Sequence, residues 1–355
     1  MMFKRPISLT GMLLLVIALL QSAFSIQYNN AHPVKQKIPK GFPPPVYTFK
    51  NNPLTKEGVE LGRKLFYDGR LSQDGYMACA SCHQQFAAFA DFEHKLSHGV
   101  HSRLTIRNAP PLFNLAWQKD FHLDGAINHI EVQPLAPMTG KNEMGNSIDS
   151  IITLLKKDTT YRKMFKAAFG SSEINSQRML KALAQFTGNI VSANAKFDKM
   201  KRGEIVFNEW ERNGYAIFQT RCATCHPEPL FTDLQYHNIG LPVDTFLNDY
   251  GRMIITGEKS DSLKFKTPSL RNVSRTDPYM HDGRIWGLST ALNHLQTWSV
   301  TDSTADPLIR QGKPLEKMEV KYLVSFLHTL LDSTLLTDPS LADPIPGNLI
   351  HSPVQ

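Results

Sequence analysis

Hydrophobic residues recur every three or four positions along much of this chain, which is the spacing of helices that bury one face. Alternation of apolar and polar residues, which is typical of strands, is scarce. Asn208 followed by Glu211 fits a helix N-cap with a reach-back acid. The chain is therefore predicted to be mainly α. The predicted helices cover residues 57–66, 148–169, 179–191, 208–220 and 318–331.

The N-terminus has the layout of a secretory signal. Lys4 and Arg5 precede an apolar stretch over residues 12–20 and small residues up to Ser25. That stretch is too short to span a bilayer, although a retained membrane anchor is the alternative. We expect residues 1–26 to be removed and the mature protein to be periplasmic. Loss of the two basic residues lowers the formal charge of +7 to +5. The remaining basic residues are scattered along the chain and do not indicate nucleic acid binding.

All four cysteines lie in two Cys-x-x-Cys-His motifs, at residues 79–83 and 222–226. Such a motif forms two thioether bonds to one haem, and its histidine becomes an axial ligand of the iron. Disulfides, a four-cysteine zinc site and redox dithiols are the alternatives. Zinc would need neither histidine, and dithiols would want a thioredoxin-like βαβ context that the flanks lack. We predict two covalently bound haem c groups, held by Cys79, Cys82 and His83 and by Cys222, Cys225 and His226.

A weak internal repeat follows the two motifs. Residues 108–114 and 122–125 parallel residues 267–272 and 280–283. This parallel predicts two cytochrome c-like haem domains related by internal duplication. A charged, glycine-containing stretch near residues 199–204 separates helical patterns, and we place the domain boundary there. The predicted organisation is a signal peptide (1–26), an N-terminal haem domain (27–200), a C-terminal haem domain (201–340) and a tail (341–355).

Several further pieces of sequence stand in a fixed order around the motifs. They are LFYD at 65–68, RNAP at 107–110, EM at 143–144, FKTPSLRNV at 265–273 and PYMHDGR at 278–284. With these pieces the chain resembles the bacterial di-haem cytochrome c peroxidases and their relatives, the di-haem enzymes that mature a tryptophan-derived cofactor in methylamine dehydrogenase. The resemblance covers nearly the whole mature chain.

The resemblance implies a peroxidase that reduces hydrogen peroxide to water with electrons from a small cytochrome c or copper protein. Peroxide would react at the N-terminal haem, whose proximal ligand would be His83. Electrons would enter at the C-terminal haem, whose ligand would be His226. Glu143 and Gln133 match the catalytic pair of the family, with Glu143 as the proton relay. Family members often form homodimers, but the sequence shows no interface signal.

The resemblance also implies a calcium ion between the two haem domains. Oxygen ligands suit this hard cation, and Asn108, Thr276 and Pro278 match the positions that supply them. Asn108 alone would more often be a turn residue.

At two positions the chain departs from the family. Leu295 stands where the C-terminal haem usually has a methionine or tyrosine as its sixth ligand. Leucine cannot bind iron, so either His294 takes over or the ligand set is altered. Leu123 stands where the family has a tryptophan between the haems, and Trp117 or His122 are the nearby aromatic residues.

Two other functions stay open at this point. One is a di-haem oxidase that modifies a protein tryptophan side chain, which the missing methionine ligand favours. The other is a non-catalytic di-haem electron carrier. In such a carrier His98 or His101, in the predicted mobile loop 93–103, would close the N-terminal iron. Binding of cyanide or azide would separate an enzyme from a carrier.

Overall fold

Helices dominate the computed structural model, which describes residues 31–297 and 303–345. The prediction of a mainly α chain is confirmed. Two short strands, β1 (Tyr236–His237) and β2 (Phe265–Lys266), pair antiparallel with Tyr236 opposite Lys266. The α-helices are α1 (Lys56–Phe66), α2 (Cys79–Cys82), α3 (Leu135–Thr139), α4 (Ile148–Lys157), α5 (Thr159–Phe169), α6 (Ser176–Thr187), α7 (Lys196–Lys201), α8 (Glu209–Arg221), α9 (Met253–Thr256), α10 (Leu288–Thr297), α11 (Pro307–Arg310), α12 (Lys317–His328) and α13 (Ser333–Thr337).

The ends of the chain fall outside this description. The predicted signal peptide at residues 1–26 lies outside the described residues, as do residues 346–355 of the predicted tail. Within the two described ranges, every helix is too short or too polar to cross a bilayer.

The predicted helix over residues 148–169 is two helices in the structure. Asp158 lies between α4 and α5, and its carboxylate accepts hydrogen bonds from the backbone N–H groups of Thr160 and Tyr161. An acid in this role satisfies donors that a new helix leaves unpaired. Apolar spacing continues through the break, so the pattern could not show it.

The predicted cap of α8 is confirmed. The Asn208 side chain accepts from the Glu211 N–H at 2.9 Å, and the Glu211 carboxylate accepts from the Asn208 N–H at 2.9 Å. This reciprocal pair fixes the start of the helix that leads into the second Cys-x-x-Cys-His motif.

The buried apolar residues form two clusters. One contains residues between Leu61 and Ile190 together with Leu335 and Leu341, and the other contains residues between Phe197 and Leu330. The end of the described chain therefore packs on the N-terminal cluster, where the Tyr67 hydroxyl donates to the Leu341 carbonyl at 2.8 Å. We call the two sets of elements the N-terminal and C-terminal halves. The domain limits given above stay a prediction.

The internal repeat has a counterpart in backbone conformation. Asn114 and Asn272, four residues after matching prolines, are both left-handed with φ of 54° and 58°. Each precedes a short 3-10 turn, Leu115–Trp117 or Val273–Arg275. Asparagine tolerates this conformation better than most residues.

The two halves exchange a matched pair of backbone hydrogen bonds. The Asn108 N–H donates to the His281 carbonyl at 2.9 Å, and the Lys266 N–H donates to the Leu123 carbonyl at 2.7 Å. When the repeat is superposed by its asparagines, Asn108 corresponds to Lys266 and Leu123 to His281. The contact is thus reciprocal, as in a two-fold symmetric interface.

Candidate haem-binding and catalytic site

The first Cys-x-x-Cys-His motif is one helical turn followed by a histidine that a hydrogen bond orients. The Ser81 hydroxyl accepts from the Ala78 N–H at 3.1 Å at the start of α2. His83 follows the turn, and its Nδ1 lies 2.9 Å from the Phe89 carbonyl oxygen. That bond orients the ring and leaves Nε2 for a metal, as is usual for ligating histidines.

The second motif repeats this arrangement. Its cysteines follow α8 directly, and His226 Nδ1 lies 3.0 Å from the Phe231 carbonyl oxygen. Phe89 and Phe231 share a left-handed backbone, with φ of 62° and 55°. Both motifs therefore offer one oriented imidazole beside two cysteines.

Burial sets the protonation of these groups. It raises the pKa of Cys79 and of Cys82 to about 12 and that of Cys222 to about 11, so the thiols are neutral. Redox dithiols react as thiolates, which neutral thiols disfavour, and all four cysteines are free of disulfides. Burial also lowers the pKa of His83 to about 4, which keeps it in the neutral form that binds metals. The residues of both motifs fit covalently attached haem.

Glu143 is a part-buried acid near the first motif. The turn after α3 positions it, since its N–H donates to the Gly140 carbonyl at 3.0 Å. A Cβ at Gly140 would lie 2.5 Å from the Glu143 carboxylate, so a side chain there would displace the acid. Burial raises the pKa of Glu143, and its charge in turn acts on Cys82. Among the described residues, none forms an ion pair or hydrogen bond with its carboxylate.

Gln133 lies at the other end of α3 from Glu143. Its Nε2 is 3.5 Å from His122 Nε2. Burial lowers the pKa of His122, and the charge of His122 acts on His83. The structure thus places Gln133 with His122 and places both near the first motif. In the described part of the chain, no direct contact joins the side chains of Gln133 and Glu143.

The loop that carries His98 and His101 is tied to the segment of Glu143. The Val100 N–H donates to the Glu143 carbonyl at 2.7 Å, and a Cβ at Gly99 would lie 2.1 Å from the Asn142 carbonyl oxygen. Both histidines are exposed. Backbone contacts therefore hold a loop that was predicted to be mobile, while its two histidines point outward.

Of the three predicted calcium ligands, Asn108 is tied by a backbone hydrogen bond to the segment that carries the other two. The Asn108 amide group donates to the carbonyls of His94 and Lys95 at 3.1 and 3.2 Å, which leaves its oxygen for a cation. The bond from the Asn108 N–H to His281 brings it beside the segment that carries Thr276 and Pro278. Calcium itself stays a prediction.

The residues considered for the C-terminal iron and for the inter-haem path differ in their surroundings. His294 is part-buried on α10, and burial together with the charge of Arg284 lowers its pKa. The side chain of Leu295 lies outside the described residues. The Trp117 indole donates to the Pro43 carbonyl at 2.7 Å within the N-terminal half, which indicates a packing role.

One ionic cluster near the second motif was not predicted from the sequence. His237 lies 2.9 Å from Asp233 and 2.7 Å from Asp306, and although burial opposes its charge, these two bonds raise its pKa. Cys225, Asp233 and His237 are close enough to hold a metal ion, but Cys225 belongs to the haem motif and both His237 nitrogens already have carboxylate partners. Asp306 is 69 residues from His237, so no local pattern could join them.

The comparisons with known proteins agree on one family. A sequence profile of the di-haem cytochrome c peroxidases matches residues 56–205. The chain is 34% identical to the methylamine utilization protein MauG of Methylophilus methylotrophus over 90% of this chain and 94% of that protein. It is 32% identical to the cytochrome c551 peroxidase of Nitrosomonas europaea over 78% and 81% of the two chains.

A solved structure supports the same assignment. The crystal structure of a MauG-like protein associated with microbial copper homeostasis superposes with a TM-score of 0.81 at 31% identity, covering 88% of this chain and 99% of that one. With the fold, the two motifs and these relatives taken together, the chain belongs to the di-haem cytochrome c peroxidase family and is an oxidoreductase of the peroxidase class.

Proposed function

We propose that this chain is a periplasmic di-haem c-type peroxidase that reduces hydrogen peroxide to water with electrons from a small cytochrome c or copper protein. The observation that carries the proposal is Glu143, a part-buried acid with no cationic partner among the described residues, close to the first haem motif. Haem attached at the two motifs supplies the redox chemistry with peroxide and the electron storage.

The role of Glu143 is to move a proton. Its carboxylate oxygen takes the proton from the peroxide oxygen nearer the iron and returns it to the oxygen that leaves as water. A carboxyl with a raised pKa is better matched to this transfer near neutral pH than an ordinary exposed acid. Gln133, whose amide lies beside His122, is the second polar side chain of the proposed catalytic pair.

The difference between the two motifs supports the direction of electron flow. Near the second motif, Asp233 and Asp306 are both bonded to His237, and hydrogen bonds lower the pKa of Asp233, whereas burial raises that of Glu143 near the first motif. Peroxide therefore reacts at the N-terminal haem, and electrons enter at the C-terminal haem. The reciprocal backbone contact between the halves further supports the proposal that they arose by duplication.

Steady-state turnover tests this proposal. Protein reduced beforehand should consume peroxide with a reduced small cytochrome as donor. Glu143→Gln keeps the shape but cannot act as a base, so turnover should fall by about 10²- to 10⁴-fold while both haems stay attached. The matched control is Asp149→Asn, an exposed acid six residues away, which should leave turnover unchanged. Equal turnover of Glu143→Gln and wild type would remove Glu143 from the mechanism.

A second function is favoured by the MauG relatives at 34% and 36% identity. In that case the oxidised substrate is a protein tryptophan side chain rather than a small electron donor. Poor turnover with cytochrome donors, together with oxidation of a tryptophan in a co-purified protein after stoichiometric peroxide, would favour this function.

Ligand binding tests the third function, a non-catalytic electron carrier. If neither oxidation state binds cyanide or azide, both irons are closed and the chain is an electron carrier.

A further inference from the structure

Lys266 places a buried ammonium group where the two halves meet. It lies on β2 and is 8% exposed. Its Nζ donates to the Gln118 side-chain oxygen at 2.9 Å and to the Asp120 carbonyl at 2.6 Å. Both acceptors are uncharged, and Lys266 takes part in none of the ion pairs found in the described ranges. A lysine buried in this way is costly, because burial penalises its charge.

Lys266 fixes the segment of residues 118–123 in the N-terminal half. Besides its two side-chain bonds, its backbone N–H donates to the Leu123 carbonyl at 2.7 Å. From the opposite strand, the Tyr236 hydroxyl donates to the Asp120 carboxylate at 3.2 Å. The two-stranded sheet of the C-terminal half, β1 with β2, thus holds this segment from both strands.

The same residue is linked to both haem motifs. On one side its charge acts on His122, which belongs to the segment that Lys266 fixes and lies near the iron ligand His83. On the other side the backbone of Pro268, two residues further along the chain, acts on the pKa of the other iron ligand, His226. A rearrangement at Lys266 would therefore change the surroundings of both motif histidines.

We propose that Lys266 is a positioning residue for electron exchange between the two haem sites, because it fixes segment 118–123 and holds a positive charge between the halves. The inference rests on the proposed function, in which the haems exchange electrons. A fixed positive charge stabilises the reduced state of a nearby centre, and it acts strongly where water is excluded.

Three variants separate the charge from the shape. Lys266→Gln keeps a donor and loses the charge, whereas Lys266→Arg keeps the charge. The matched control is Lys264→Gln. It removes a lysine that lies two residues earlier in the chain and pairs with Asp261 at 3.2 Å. The midpoint potentials of both haems and the rate of electron exchange after rapid reduction are measured in each holoprotein.

Lys266→Gln should shift at least one midpoint potential in the negative direction. It should also slow electron exchange about tenfold or more, since a misplacement on the order of 1 Å can cost reactions on the order of 100-fold. Lys266→Arg should keep the potentials, and Lys264→Gln should match wild type in both measurements. A role in folding alone would not move a potential.

The wild-type protein provides an independent measurement by pH. Burial lowers the pKa of Lys266 to about 8, so raising the pH through that value should reproduce the negative shift of potential. The charged groups that face Lys266 are Asp120, Asp124 and His122. Burial lowers the pKa of His122, so this imidazole is already neutral in that range. The shift should be absent in Lys266→Gln and present in Lys264→Gln.

The outcomes distinguish failure of this inference from failure of the proposed function. If wild type turns over peroxide but Lys266→Gln keeps wild-type potentials and exchange rate, the inference is wrong and the proposed function stands. If wild type shows neither turnover nor electron exchange, the proposed function fails first. Should Lys266→Gln not fold, the pH series of wild type decides, and a flat potential between pH 7 and 9 overturns the inference.

Discussion

Single side chains at the first motif owe their protonation states to burial rather than to charged partners. Burial is the largest cause of the lowered pKa of His83, of the raised pKa of Cys79 and of the raised pKa of Glu143. The result is a neutral imidazole, a neutral thiol and a carboxyl that keeps its proton longer than usual. Exclusion of water thus gives all three groups the protonation states that their proposed roles as iron ligand, haem attachment point and proton relay require.

The raised pKa of Glu143 predicts a pH dependence. As a base, Glu143 must be ionised, so kcat/KM should fall as the pH is lowered through its pKa, which lies above the ordinary 4.5. The pH profile of kcat/KM for peroxide measures it. Glu143→Gln should lose this acid limb, and Asp149→Asn should keep it. An acid limb that survives in Glu143→Gln would assign the ionisation to another group.

Residues in strong local motifs can be predicted from the sequence, whereas residues that only the fold brings together cannot. The motif spacing predicts the haem cysteines and histidines, and the resemblance points to Glu143. Nothing in the sequence shows that Gly140 makes room for the Glu143 carboxylate or that His122 lies beside Gln133. Such contacts depend on how loops pack, which short-range patterns do not encode.

At the scale of elements, buried polar pairs join segments that are far apart in the chain. Arg271 is fully buried and bonds the two carboxylate oxygens of Asp198 on α7 at 2.9 and 2.8 Å, and its Nε donates to the Pro229 carbonyl. Asp198 also accepts from the Ala195 N–H at the start of α7. This pair links α7 to the segment that follows β2. The sequence predicted a boundary near α7 but gave no sign of this bond across 73 residues.

Breaking that pair should destabilise the protein strongly. Arg271→Met leaves the Asp198 carboxylate buried without its partner, so the free energy of unfolding should fall by about 3–5 kcal/mol. Denaturant unfolding of the holoprotein measures it. Arg275→Met is the matched control, since this arginine is exposed in the adjoining turn and should cost at most about 0.5 kcal/mol.

A double variant checks the physical reason. Adding Asp198→Leu to Arg271→Met removes the unpaired buried carboxylate. The free energy of unfolding should therefore fall by less in the double variant than the sum of the falls in the two single variants. Simple additivity would instead mean that the two side chains contribute independently and that the ion pair is not the cause.

For the whole molecule, the contact between the halves decides how the two motifs communicate. Arg107 of the N-terminal half bonds Asp124 of its own half and Asp249 of the C-terminal half. Its guanidinium lies 5.6 Å from the centre of the Phe265 ring, which stacks on His281 at 3.9 Å. These contacts lie beside the reciprocal backbone bonds of Asn108 and Lys266. The repeat in the sequence suggested two similar halves, but it could not show that equivalent positions meet each other.

Calcium bound at Asn108, Thr276 and Pro278 would join the two halves at this contact, so it should stabilise the whole molecule. Oxygen ligands from both halves exist together only in the folded chain, and a ligand present at about 100 times its Kd adds about 2.7 kcal/mol to the free energy of unfolding. Thermal unfolding of the holoprotein should therefore show a higher Tm with added calcium than with a chelator. Asn108→Ala should abolish the difference, because its amide oxygen would be the side-chain ligand, whereas Asn142→Ala, an exposed asparagine of the same half, should keep it. Identical Tm values for wild type with calcium and with chelator would mean that hydrogen bonds and ion pairs alone hold the halves together.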